Sequence, residues 1–134
     1  MRIVVGTNVI VSAIYDPDSV PGRVLGAGIT GHVLLCAPEA VRDELRRVLR
    51  RVLGFSAAQT ERTVSGLPVD WIEEGVYREE LPHARRLLRD PTDAPVLACG
   101  RALGCDIVSG DHDLQVVRLA GIRVWTPSEF ARGD

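Results

Sequence analysis

Short apolar runs alternate with longer amphipathic segments along this chain of 134 residues. Apolar runs of about four residues are typical of strands that are buried on both faces of a parallel sheet. The runs predict five strands, which are Arg2–Val5, Val33–Cys36, Val69–Ile72, Asp106–Ser109 and Arg123–Trp125. The alternation of strands and helices therefore predicts an α/β fold with a central, mostly parallel sheet flanked by helices.

Helices are predicted between these strands from apolar stripes, caps and first-turn prolines. The clearest is Pro38–Val52, whose apolar stripe at helical spacing consists of Val41, Leu45, Val48, Leu49 and Val52. The other predicted helices are Val9–Tyr15, Pro21–Ala27, Ser56–Leu67, one near Pro82–Leu88, Asp93–Leu103, Asp111–Leu119 and Pro127–Ala131.

Composition narrows the class of protein. The length predicts one domain over residues 1–134 with ordinary globular composition, 46% hydrophobic and 25% charged. All 16 basic residues are Arg, so chemistry that needs a lysine, such as a Walker A loop or a Schiff base, is excluded. Three widely spaced cysteines predict reduced core thiols in a cytoplasmic protein, and no apolar run reaches the length of a membrane span.

A late acidic turn is the first candidate site. The predicted strand Asp106–Ser109 is followed by Gly110, Asp111 and Asp113. Asp is a favoured helix cap, so the five residues 109–113 alone suggest a structural turn more often than a metal site. The carboxyl ends of parallel strands are also where ligands bind, so a functional interpretation needs acidic groups from elsewhere.

Two further carboxylates fall at positions that could join this turn. Glu44 lies about 80° from the centre of the apolar stripe of its helix, at the edge of the buried face, and Asp93 begins a helix with an inward stripe. Glu44 could instead pair with Arg47 or Arg51, and Asp93 could be a helix cap. Clustered carboxylates suit a hard divalent cation such as Mg²⁺, which can activate water for phosphodiester hydrolysis.

The ordered motifs resemble the PIN-domain toxins of bacterial toxin–antitoxin systems, the VapC-like ribonucleases. The matching segments are RIVVGTNVIVSA, APEAVRDELRRVL, RDPTDAPVLA and DIVSGDHDL followed by GIRVWTPSEF. Each motif is weak alone, but the set spans nearly the whole chain in the order of the family.

The resemblance implies a Rossmann-like sheet and an endoribonuclease dependent on Mg²⁺ or Mn²⁺. It also implies a cognate antitoxin as inhibitor, RNA as substrate and a homodimer. The acidic positions of the family correspond to Glu44, Asp93, Asp111 and Asp113 as catalytic and metal-binding residues. The substrate-orienting positions correspond to Asn8 and Ser109.

One position departs from the family. Its first strand ends in Asp-Thr-Asn, whereas this chain has Gly6, Thr7 and Asn8. The loss of one metal-binding carboxylate would slow catalysis by about 10²–10⁴. Gly6 has two competing explanations. The first is that the chain is a naturally inactive member of the family. The second is that a one-base substitution of Asp by Gly inactivates an enzyme that is toxic to the cell that makes it. The second explanation agrees better with the retained acids, but the sequence does not decide between them.

These residues are compatible with three different functions. The first is the metal-dependent ribonuclease. The second is an inactive PIN-fold binding module that sequesters antitoxin or RNA, as Gly6 would favour. The third is a phosphoacceptor receiver domain, against which the absence of lysine counts strongly.

A further expectation concerns self-association. The segments from Pro21 and from Ser56 carry apolar residues that would be either core or an exposed association surface. They are Val24, Leu25, Ile29, Val64 and Leu67.

Overall fold

A five-stranded sheet forms the centre of the computed structural model, which describes residues 1–119 and 121–133. Its strands are β1 (Arg2–Val5), β2 (Leu34–Pro38), β3 (Val69–Ile72), β4 (Asp106–Val108) and β5 (Val124–Trp125). All pairings are parallel in the order β3-β2-β1-β4-β5, which confirms the predicted α/β fold. Ala120 and Asp134, which the predicted domain 1–134 includes, lie outside the described residues.

Nine α-helices are found in the described part of the chain. They are α1 (Thr7–Tyr15), α2 (Val20–Ile29), α3 (Glu39–Arg51), α4 (Ala57–Gly66), α5 (Glu74–Tyr77), α6 (Leu81–Leu87), α7 (Ala94–Leu103), α8 (His112–Gln115) and α9 (Pro127–Arg132). Helices α2 and α4 are capped by the hydroxyls of Ser19 and Ser56, which accept hydrogen bonds from the amides of Gly22 and Gln59. None of these helices has the length and apolarity that a bilayer crossing requires.

Helix α7 is the most deeply buried helix and lies against β1, β2 and β4. Gly100 allows this close approach, because a Cβ there would lie 2.8 Å from Cδ1 of Ile107 in β4. The inward stripe predicted from helical spacing consists of Asp93, Val96, Gly100 and Leu103. It is confirmed at Val96 and Gly100, which are both buried. The helix therefore holds its N-terminal end, with Asp93 before it, against the central strands.

Two element predictions are wrong. The predicted helix Asp111–Leu119 ends at Gln115, where Arg118 Nη1 donates to the carbonyl oxygens of Gln115 and Val117 at 3.0 and 3.4 Å. The chain then forms an antiparallel bridge between Leu119 and Ile122 instead of another helical turn. On α3, Val52 is 72% exposed although the stripe included it, because the helix ends at Arg51.

The five apolar side chains of the segments from Pro21 and Ser56 are mostly core and not an exposed association surface, which is one of the two interpretations that the sequence left open. Val24 and Val64 are buried, while Leu25 and Leu67 are half-buried against the core. Of these five side chains only Ile29 is exposed, at 70%. The amphipathic segments from Pro21 and Ser56 thus supply core residues to the small sheet. The three cysteines are buried free thiols, as expected.

Candidate functional site

The site lies where the strand order reverses. The chain proceeds from β1 outward to β2 and β3, then crosses to β4 on the other side of β1. Val5 and Val108 are paired across β1 and β4, so Gly6 and Ser109 follow neighbouring strand ends. A crevice at such a reversal is the usual ligand site of an open parallel sheet.

A small cleft of about 50 Å³ opens at these strand ends, large enough for a cation and a few waters. It brings together most of the residues that the sequence indicated as site positions. Its lining includes Gly6, Asn8, Glu44, Asp93, Ser109 and Asp111.

Three carboxylates form the compact part of the site. One oxygen from each of Asp93, Asp111 and Asp113 lies within 4.8 Å of the others. Carboxylate oxygens are the ligands that hard divalent cations prefer, so this group could hold one such cation if the three side chains moved closer together. These three are the only described residues that form such a group.

Asp93 is the least satisfied carboxylate among the described residues. Its Oδ2 is buried and has no hydrogen-bond partner, and its side chain does not cap α7. The pKa of Asp93 is raised to about 7. Burial is the largest cause, and the neighbouring Asp111 carboxylate raises the pKa further. Two carboxylates this close can hydrogen-bond only by sharing a proton, so a cation is the alternative partner. Asp93 therefore occupies the N-cap position of α7 without a capping hydrogen bond from its side chain.

Asp111 fits both interpretations of the acidic turn, the helix cap and the metal ligand. Its Oδ1 accepts a hydrogen bond from the Asp113 amide at 2.8 Å, which caps α8. Ser109 Oγ in turn accepts one from the Asp111 amide at 3.0 Å. Gln115 Nε2 donates to the Ser109 carbonyl at 2.9 Å and fixes the turn. The hydrogen bonds of the turn thus fix Asp111, which lines the cleft, and Asp113, whose carboxylate lies close to that of Asp111.

The fourth predicted carboxylate is that of Glu44. It lines the cleft, but its carboxylate is not a member of the three-residue group in the described part of the chain. It forms no ion pair with Arg47 or Arg51 among the described residues. The salt bridges of α3 there join Arg42 to Glu39, and Arg46 to Asp43 and Glu61. Asp113 is a member of the group, although it does not line the cleft.

The remaining predicted positions lie at the same opening. Asn8 is exposed on the first turn of α1, and Ser109 is buried. Two lining residues were missed by the sequence analysis, the buried Thr7 and the exposed Thr92. Thr7 could have been recognised, because it follows the same strand end as Gly6.

A family model described as PIN domain matches residues 4–131. The chain belongs to the PIN-domain family. The single domain is Rossmann-like, as the resemblance implied. No curated protein sequence matches closely enough to indicate a more specific relative.

Solved structures with a PIN-like fold include three toxin–antitoxin complexes. VapBC2 from Rickettsia felis, bound to a promoter DNA fragment, is 16% identical, with a TM-score of 0.65 and coverage of 94% of this chain and 98% of that one. A toxin–antitoxin complex from Klebsiella pneumoniae is 16% identical, with a TM-score of 0.70 and coverage of 93% and 97%. DNA-bound VapBC from Salmonella typhimurium is 12% identical, with a TM-score of 0.70 and coverage of 95% and 98%. At these identities the similarity establishes the PIN fold.

Proposed function

We propose that this PIN domain is the toxin of a toxin–antitoxin pair, an endoribonuclease dependent on Mg²⁺ or Mn²⁺ that acts in the cytoplasm. The observation that carries the proposal is the group of Asp93, Asp111 and Asp113, with a buried Asp93 oxygen that lacks a donor. Membership of the PIN family and likeness to chains from toxin–antitoxin complexes support it. The three free thiols agree with a reducing compartment.

The donor set suits a hard divalent cation, because carboxylate oxygens are its preferred ligands. Asp93, Asp111 and Asp113 would hold the ion. When bound, a cation of this kind neutralises phosphate charge and lowers the pKa of a water molecule. The carboxylates would otherwise repel a phosphodiester.

The other cleft residues would position the substrate and the attacking water. Glu44 would accept a proton from the water molecule that attacks phosphorus, and the oxygen that leaves as the P–O bond breaks would take up a proton from solvent. The Asn8 amide would donate to a phosphate oxygen from the rim of the cleft. The Ser109 hydroxyl would donate likewise, since its oxygen already accepts from the Asp111 amide.

Gly6 leaves space where the family has a carboxylate. Its backbone is extended, with φ −89° and ψ 169°, which any residue can adopt. A Cβ would meet only Val96 Cγ2 within 4 Å, at 4.0 Å. We infer that Gly6→Asp fits without strain and adds the missing oxygen ligand.

The missing carboxylate at Gly6 also favours a second function. Without a carboxylate at residue 6, the chain could be an inactive binding module that sequesters antitoxin or RNA. This alternative and the enzyme differ in whether the Gly6→Asp variant gains metal-dependent cleavage.

RNA cleavage by the purified protein tests the enzyme. We expect Gly6→Asp to cleave single-stranded RNA with Mn²⁺ but not with a chelator, and to be about 10²–10⁴ times faster than the Gly6 protein. Adding Asp93→Asn should abolish the activity, whereas Asp18→Asn, on an exposed loop, should not. Equal inactivity of the Gly6 and Gly6→Asp proteins would favour the binding module. Equal activity would show that position 6 is not a ligand.

The proposed function includes two protein partners, an antitoxin and a second copy of the chain. A cognate antitoxin is proposed because the similar PIN folds come from toxin–antitoxin complexes. A homodimer is proposed from the family resemblance, with Met1 and Leu34 as a candidate contact. Both are at least two-thirds exposed, and the Leu34 amide donates to the Met1 carbonyl, so they are adjacent. Sedimentation velocity that shows only monomer would contradict the dimer.

A further inference from the structure

A second concave surface lies beside the cleft, between α3 and the start of α4. We call it the α3–α4 groove and define it by Arg46, Arg47, Arg50, Arg51, Phe55 and Glu61. Its volume is about 550 Å³, much larger than that of the acidic cleft. Its charge is opposite to that of the cleft, with four guanidinium groups against one carboxylate.

The arginines of the groove differ in their partners. Arg46 is neutralised by Glu61, with two hydrogen bonds of 3.0 and 3.1 Å, and lies near Asp43. The side chains of Arg47, Arg50 and Arg51 are exposed and form no ion pair or hydrogen bond with any described residue. The whole chain has a net charge of −2, so this cluster is not part of a general basic surface.

Helix geometry connects the groove to the cleft. Arg47 and Arg51 follow Glu44 by three and seven residues, so they lie on nearly the same face of α3. At a rise of 1.5 Å per residue they are about 4.5 and 10.5 Å farther along the axis. A strand that passes over the cleft could therefore continue along this row of guanidinium groups.

We propose that the α3–α4 groove binds the phosphodiester backbone of single-stranded RNA that flanks the bond in the cleft. The proposal rests on the proposed ribonuclease function. Arginine groups bind phosphate through paired N–H donors, and an aromatic ring offers a platform for a base. Phe55, half-buried in the groove, supplies that ring. An acidic polypeptide would use the arginines but would gain nothing from base stacking.

Arginines near a helix C-terminus also stabilise the helix through its dipole. Arg50 and Arg51 lie in the last turn of α3, so this effect alone could account for two of them. It does not account for Arg47, and it acts on stability rather than on RNA binding. Measuring both properties separates the two roles.

The test is fluorescence anisotropy with a labelled single-stranded RNA of mixed sequence and about 20 nucleotides, without metal. Cleavage then plays no part, so failure of the nuclease proposal would leave the result readable. The variant R47Q/R50Q/R51Q removes three charges and keeps side-chain length. The matched control is R23Q/R62Q/R85Q, three exposed arginines that lie outside the groove and have no described partner.

We expect the groove variant to bind RNA about ten times or more weaker at low salt. The slope of log K against log salt should become shallower by about 2, since each contact with single-stranded nucleic acid contributes about 0.7. The control variant should change neither quantity, and the melting temperature of the groove variant should stay within about 3 °C. F55L should weaken RNA binding with little change in the salt slope.

Three results would overturn the proposal. The first is the absence of RNA binding by the unmodified chain at low salt. The second is an equal loss in the groove and control variants. The third is displacement of the RNA by polyglutamate as effectively as by unlabelled RNA, which would make an acidic polypeptide the occupant.

Discussion

Asp93 is the side chain whose surroundings say most about the site. It is half-buried beside two other carboxylates and lacks a donor for one oxygen. A structural role would be expected to satisfy that oxygen, as the Asp111 carboxylate is satisfied by the Asp113 amide. The unsatisfied oxygen is better explained by a ligand that the site binds.

The raised pKa of Asp93 predicts how stability depends on pH. Burial, with help from Asp111, raises that pKa from 3.8 to about 7, so the folded chain holds the proton more tightly than the unfolded chain. The contribution of Asp93 to the free energy of unfolding is fully present below pH 3.8 and is lost as the pH rises toward 7. Asp93→Asn should therefore match the unmodified chain at pH 4 and exceed it increasingly up to about pH 7.

Thermal melts without metal, from pH 4 to pH 8, would check this prediction. Asp18→Asn is the control, since its carboxylate is exposed and remote from the cluster. A constant difference between Asp93→Asn and the unmodified chain across this range would contradict the crowded-carboxylate account.

Helix α7 fixes Asp93 in place through close contact with β4. Gly100→Ala would put a methyl group 2.8 Å from the buried Ile107 side chain and 3.2 Å from the Cys105 carbonyl oxygen. Such overpacking should cost about 1–3 kcal/mol in the free energy of unfolding. Urea denaturation measures it.

Gly26→Ala in α2 is the matched control. A Cβ at Gly26 would meet no described atom within 4 Å, so alanine should gain about 0.5–1 kcal/mol from helix propensity. If both substitutions change stability alike, the close approach of α7 to β4 is not what Gly100 provides.

The elements show what patterns along a sequence can and cannot predict. The stripe on α3 correctly identified Val41, Leu45 and Leu49 as core, because burial on one helical face follows directly from spacing. The apolar run after Gln115 was mistaken for more helix, because Val116 and Val117 fit either pattern. Arg118 satisfies the final carbonyl groups there, and that contact is not visible as periodicity.

At the level of the whole molecule, the topology explains why the candidate site was largely predictable. Residues after strand ends converge wherever a parallel sheet reverses its strand order, so Gly6, Ser109 and Asp111 could be placed without coordinates. Glu44 and Asp113 could not be ranked, because their distances from Asp93 depend on side-chain directions in two helices. The large groove beside the cleft also depends on how α3 packs against α4, which spacing along one helix does not give.

The central claim is that the cleft holds a divalent cation and that Gly6 withholds one ligand. Mn²⁺ titration by isothermal calorimetry tests it directly, using the Gly6 protein, Gly6→Asp and Gly6→Asp/Asp93→Asn at pH 8. We predict one site in Gly6→Asp that binds at least about ten times tighter than in the Gly6 protein, and no such site after Asp93→Asn is added. Absence of Mn²⁺ binding by Gly6→Asp, or binding that Asp93→Asn leaves unchanged, would contradict the account.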